Sequence, residues 1–246
     1  MRFAARFVST VILLNFSVLL SSAAGPPSPQ ILVAAAADLH PLQTALTKSS
    51  PIQVVFTFAA SGTLAQQIRH GAPYDVYLSA NERFVKELAD AGLLLRETVR
   101  VYAQGRLGLW SKSGRIKTLQ DLSSPSIRHI AIANPTHAPY GAAAKAALQN
   151  QRLWEQLEPK IVYGENVEQT FQYARSGNAD AAITSWTLVF DKGGIQLPAN
   201  LHPPISQSGG VVSTTRHKAE AIKFLQFLAS EEGHSILERV GQPSAK

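Results

Sequence analysis

The chain contains no cysteine among its 246 residues. This excludes disulfides, thiolate metal sites and a lipid-modified cysteine, so an exported form has to be stabilised by its apolar core alone. Long hydrophobic runs are also missing. No segment approaches the roughly 20 apolar residues that a membrane-spanning helix needs. Basic residues are scattered singly rather than gathered in a stripe, which argues against nucleic acid as a partner. The seven histidines (40, 70, 129, 137, 202, 217 and 234) show no His-x-x-x-His pair and no carboxylate cluster at metal-ligand spacing. There is no Gly-x-Ser-x-Gly elbow, no Walker-type loop and no short repeat or heptad array. A catalytic triad can assemble from distant residues, so a secreted hydrolase stays open as an alternative, but no catalytic residue is assigned.

The chain opens as an export signal. Arg2 and Arg6 precede the apolar stretch Phe7 to Leu20, and Ser21, Ser22, Ala23 and Ala24 supply the small residues of a cleavage site. The stretch is interrupted by Ser9, Thr10, Asn15 and Ser17 and is too short to span a bilayer. Residues 1–24 are therefore expected to be a cleavable signal peptide and the protein to be periplasmic or otherwise extracytoplasmic. The formal charge of +6 falls to +4 when the two signal arginines leave. The 45% of hydrophobic residues suffices for one large domain or two small ones.

Beyond the Pro-rich leader at 25–30, short apolar runs alternate with helical patterns. Ile31 to Ala37, Ile52 to Phe58, Asp75 to Ser79, Leu107 to Trp110, Ile130 to Ala133, Ile161 to Tyr163, Ala181 to Ser185 and Val211 to Thr214 read as strands. Helical spacing follows Asp38 and Ser61, then recurs at Glu82 to Ala91, Gly141 to Gln151, Val167 to Ser176, Ala219 to Ala229 and Gly233 to Val240. Such alternation implies α/β layers with largely parallel sheets, and the units are too many for one small sheet. The expected architecture is two lobes, residues 25–105 plus 206–246 and residues 106–205, joined by two crossing strands near Gln104 to Trp110 and near Pro204 to Val211.

Three strand-to-helix junctions share a composition of small and polar residues: Ala60-Ser61-Gly62-Thr63, His137-Ala138-Pro139-Tyr140-Gly141 and Gly164-Glu165-Asn166-Val167. The first turn of a helix carries unpaired N–H groups and a partial positive charge, so each junction could receive an anion. The plainer use of such residues is capping, by Ser61 or by Thr63 with Gln66 in capping-box spacing.

The stretch Phe58-Ala59-Ala60-Ser61-Gly62-Thr63-Leu64-Ala65-Gln66-Gln67-Ile68, followed by Gly71-Ala72-Pro73-Tyr74-Asp75-Val76-Tyr77-Leu78-Ser79-Ala80, resembles the periplasmic molybdate-binding proteins of ABC importers. The likeness continues through Asn134-Pro135-Thr136-His137-Ala138-Pro139-Tyr140-Gly141, through Gly164-Glu165-Asn166-Val167, and through the terminal Phe224-Leu225-Gln226-Phe227-Leu228. It implies the two-lobed periplasmic-binding-protein fold, two mixed sheets flanked by helices with a cleft between. It also implies a non-enzymatic monomer without a cofactor, whose partners are a small oxyanion and a membrane permease, the ligand being molybdate and also tungstate.

In that family the anion is held by hydroxyls and backbone amides rather than by countercharge. Carried over, Ser61 matches a hydroxyl and amide donor, while Tyr140 and Val167 match backbone donors whose side chains need not touch ligand. All three would contact the oxyanion and not the metal atom. Two positions depart from the family. Ser185 stands where some relatives have a binding tyrosine and would be a shorter donor; Asp38 stands where some have a serine. An ionised carboxylate repels a dianion, so Asp38 is expected to turn away and cap the following helix. The alternative is another oxyanion, phosphate, a phosphonate or sulfate; Asp38 could accept the proton that phosphate or a phosphonate, unlike molybdate or sulfate, keeps near neutral pH.

Overall fold

A computed structural model describes residues 29–243, so the expected signal peptide lies outside the described residues. Ten strands form two five-stranded sheets. The first half of the chain runs β1 (Gln30–Ala36), α1 (Gln43–Ser49), β2 (Gln53–Ala59), α2 (Ser61–Arg69), β3 (Val76–Ser79), α3 (Glu82–Asp90) and β4 (Arg100–Gly105). The second sheet is built from β5 (Leu107–Trp110), β6 (Ile130–Ala133), α4 (Pro139–Asn150), α5 (Trp154–Leu157), β7 (Ile161–Gly164), α6 (Val167–Ser176), β8 (Ala181–Ser185) and β9 (Ile195–Gln196). The chain then returns through β10 (Ile205–Val211) to the first sheet and ends in α7 (Lys218–Leu228) and α8 (Glu231–Glu238).

The two sheets repeat one plan. The orders are β2-β1-β3-β10-β4 and β7-β6-β8-β5-β9. In each, three parallel strands are joined by a strand that runs antiparallel to its neighbours, β10 in the first and β5 in the second. The inner strands β3, β6 and β8 are buried at every position, and their sequences are apolar apart from Ser79, Thr184 and Ser185. A parallel strand covered by helices on both faces needs that composition. The chain passes between sheets at Arg106 and again between Gln196 and Ile205, and the two sheets with their helices make two lobes.

Three elements differ from the sequence expectation. Asp38 does not start an α-helix directly; residues Ala37–Leu42 form a tighter 3-10 turn containing Pro41, and α1 begins only at Gln43. A proline inside the segment removes a backbone donor and clashes with the preceding turn, which delays the α-helix. No separate strand forms at Val211 to Thr214; the crossing strand expected near Pro204 to Val211 is β10, Ile205–Val211. Its Gln207, Ser208, Gly209 and Gly210 look like loop residues, yet they are buried between β3 and β4, with the Ser208 hydroxyl donating to the Arg100 carbonyl at 3.0 Å. β4 itself, Arg-Val-Tyr-Ala-Gln-Gly, carries too many polar residues to stand out as a strand.

Candidate functional site

The carboxyl ends of the parallel strands in both sheets face one cleft, the position where open α/β sheets collect ligands. Three helices start there: α2 after β2, α4 after β6 and α6 after β7. Between them lies a small cavity lined by Asp38, Ser61, Tyr140 and Val167, with Ala60 and Asn166 beside them. Four of the five expected binding residues thus meet, two from each lobe. Ser185 is not among the lining residues. Its hydroxyl stands 2.9 Å from that of Thr187, which does not line the cavity either.

The helix starts differ in how many amides they leave for a ligand. α6 is capped by the Asn166 side chain, which accepts from the amides of Glu168 at 2.9 Å and Gln169 at 3.0 Å. Of the first turn this leaves the amide of Val167, the residue at the cavity. α4 begins with Pro139, which has no N–H, and Ala138 makes no side-chain cap. Gly141 follows because a Cβ there would stand 1.9 Å from the Ala133 carbonyl oxygen.

α2 has no side-chain cap either, so neither Ser61 nor Thr63 serves as the expected one. The Ser61 hydroxyl oxygen instead accepts from the Ala80 amide at 3.0 Å, and its carbonyl accepts from the Tyr77 hydroxyl at 2.7 Å. The Ser61 O–H proton is therefore free of that bond and can be donated.

Asp38 corrects the expectation of a cap. It sits inside the 3-10 turn and makes no capping bond. Its side chain is 1% exposed, and Oδ2 accepts three hydrogen bonds: from the Tyr140 hydroxyl at 3.0 Å, Gln207 Nε2 at 2.7 Å and Gln242 Nε2 at 2.7 Å. Oδ1 is buried without a partner. Burial pushes the Asp38 carboxyl up to about 6, against the opposing effect of the Tyr140, Gln242 and Gln207 donors. The Tyr140 phenol is likewise raised well above its ordinary range, first by burial and then by the Asp38 charge. The Tyr140 side chain is thus not idle, as a purely backbone donor would be: it ties the second lobe to Asp38 of the first.

Gln207, Gln242 and Thr187 were not legible as site residues. They reach Asp38 from β10, from the C-terminal end and from the turn after β8, the Thr187 hydroxyl donating to the Asp38 carbonyl at 2.7 Å. Only the fold brings them together, and no local motif marks them.

Other candidates dissolve into structure. A wider, open groove on the second lobe includes Lys112, Arg115, Asp121 and Asp180. Its carboxylates are spent on backbone amides, Asp121 on Lys117 and Thr118, Asp180 on Arg128 and His129. Trp110, Trp154 and Trp186 pack separately, against Phe171, beneath Lys145 and near Phe190. Among the described residues no three His, Asp or Glu side chains are grouped as metal ligands.

The model of the bacterial extracellular solute-binding proteins matches residues 31–241. The chain belongs to that family. A molybdate-binding protein ModA of Rhodobacter capsulatus is 31% identical to this solute-binding protein, over 95% of this chain and 94% of its own. A putative ABC transporter substrate-binding lipoprotein of Bacillus subtilis is 31% identical over 77% of this chain and 75% of its own. Among solved structures, the periplasmic molybdate-binding protein of Azotobacter vinelandii superposes with a TM-score of 0.83 at 28% identity, covering 88% of this chain and all of its own. The solute-binding protein therefore has the two-lobed periplasmic-binding-protein fold. Its role is to bind substrate for an ABC importer outside the cytoplasm, not to catalyse a reaction.

Proposed function

We propose that this solute-binding protein captures molybdate, and tungstate with it, in the cavity between the lobes, using neutral donors at the starts of α2, α4 and α6. The observation that carries the reading is that this cavity is bounded by three helix N-termini while, among the described residues, no lysine, arginine or histidine lines it. A tetrahedral dianion is acceptor-only, so a cage of N–H and O–H donors with helix dipoles behind them suits it. Each hydrogen bond to the charged group contributes about 1.5–3 kcal/mol net. Ser61 would give its hydroxyl and amide, Tyr140 and Val167 their amides, and Ser185 support from behind Thr187. The molybdate-binding relatives support the ligand, and tungstate follows from having the same charge and shape.

The remaining organisation belongs to the same proposal: a signal peptide at 1–24 removed on export, lobes at 25–105 plus 206–246 and at 106–205, and a monomer that delivers its anion to a membrane permease. One observation favours a second ligand. The unpartnered Asp38 oxygen could accept the proton that phosphate or a phosphonate keeps. A thermal-shift panel of molybdate, tungstate, sulfate, phosphate and phosphonates on the mature chain separates the two. Molybdate and tungstate should raise the melting temperature most; larger shifts with phosphate or phosphonate would transfer the assignment to them.

A further inference from the structure

We propose that Asp38 makes anion capture proton-coupled: the site takes up one proton from solvent, held on Asp38 Oδ1, for each acceptor-only dianion it binds. The inference rests on the oxyanion reading above and concerns how that same site tolerates a carboxyl group.

The geometry divides the two carboxyl oxygens. Oδ2 is filled by the donors of Tyr140, Gln207 and Gln242. Oδ1 is buried, has no partner, and belongs to a residue that lines the cavity. A buried oxygen left unpaired is costly, and a bound dianion offers it only lone pairs. Ionised, Asp38 would meet the ligand as a second negative charge. Protonated at Oδ1, it becomes one more neutral donor, with Oδ2 still served by its three partners.

Among the described residues no cation is paired with Asp38 to hold the ionised form. Facing Asp38 are Tyr140 from α4, Gln207 from β10, Gln242 from the C-terminal end, Thr187 and Ser185 from the end of β8, and Tyr102 of β4, whose hydroxyl donates to Gln207 Oε1 at 3.3 Å. The nearby His40 is paired with Glu168 at 2.8 Å, and among the described residues no salt bridge includes Asp38. Burial already raises the carboxyl to about 6, so it is largely ionised at pH 8 before the ligand arrives. An adjacent dianion raises it further. The proton comes from solvent, the O–H bond forms on Asp38, and the anion enters and leaves as the dianion.

The test is calorimetric titration of molybdate into the mature chain at pH 8 in buffers of different ionisation enthalpy, which counts protons exchanged. Close to one proton should be taken up per molybdate, and affinity should fall by about tenfold for each pH unit above 6. Asp38→Asn, whose amide donates at every pH, should bind with no proton uptake and with affinity flat from pH 6.5 to 9. Molybdate binding to the unaltered chain without proton uptake overturns the inference and leaves the oxyanion reading intact. Failure of molybdate to bind at any pH overturns both, and phosphate binding without uptake would identify Asp38 as acceptor of the ligand's own proton. The unaltered chain decides the matter even if the variant does not fold.

Discussion

Ser61 is engaged on two sides before any anion arrives. Its oxygen takes the Ala80 amide and its carbonyl takes the Tyr77 hydroxyl, which fixes the side chain at the first turn of α2. Ser61→Ala should lower molybdate affinity by about tenfold or more, the equivalent of one charge-assisted hydrogen bond. Calorimetry on a variant shown by circular dichroism to be folded checks this, and unchanged affinity would remove Ser61 from the site. That Ser61 and Val167 would line the cleft was legible from small polar turns feeding helices together with the family likeness. The setting of Asp38 was not. Its three donors stand 102, 169 and 204 residues away along the chain, and nothing local distinguishes a carboxyl that caps a helix from one buried under distant amides.

At the next scale three helix starts border the candidate site, and each is finished differently. α6 closes two of its own amides with Asn166 and ends at Gly177, whose φ of 90° is the left-handed conformation that favours glycine. Asn166→Ala should cost about 1 kcal/mol of stability. For a chain of this size that lowers the melting temperature by about 2–4 °C, measurable by calorimetric unfolding. It should also leave the Glu168 and Gln169 amides exposed beside the cavity, so no change in stability would mean that the cap is not formed. The helix at Val167–Ser176 was readable to the residue because its cap and its terminating glycine bracket an amphipathic run. The crossing strand at Ile205–Val211 was expected, but its complete burial was not readable, because its Gln, Ser and Gly residues are buried by tertiary pairing and by the polar groups around Asp38.

For the molecule as a whole, the lobes meet through few polar contacts, all beside the cavity. The Gly62 amide donates to the His137 carbonyl at 2.8 Å, and a Cβ at Gly62 would come within 2.9 Å of that same loop. Tyr140 and Thr187 of the second lobe both donate to Asp38 of the first. The exposed pair His40–Glu168 bridges the rim at 2.8 Å and adds little, since solvent screens it. An anion that contacts Ser61 on one side and Tyr140 and Val167 on the other would favour this closed arrangement, because only there do both sets of donors reach it. The two-lobed plan itself was legible in the alternation of strands and helices, while the closeness of the lobes at Gly62 was not. A crystal structure of the molybdate-loaded protein, with the metal located by anomalous scattering, tests the central claim most directly. A single molybdenum peak is expected in the cavity, its oxygens accepting from the amides of Ser61, Tyr140 and Val167 and from the Ser61 hydroxyl. A peak elsewhere, or molybdate oxygens held by lysine or arginine side chains, would contradict it.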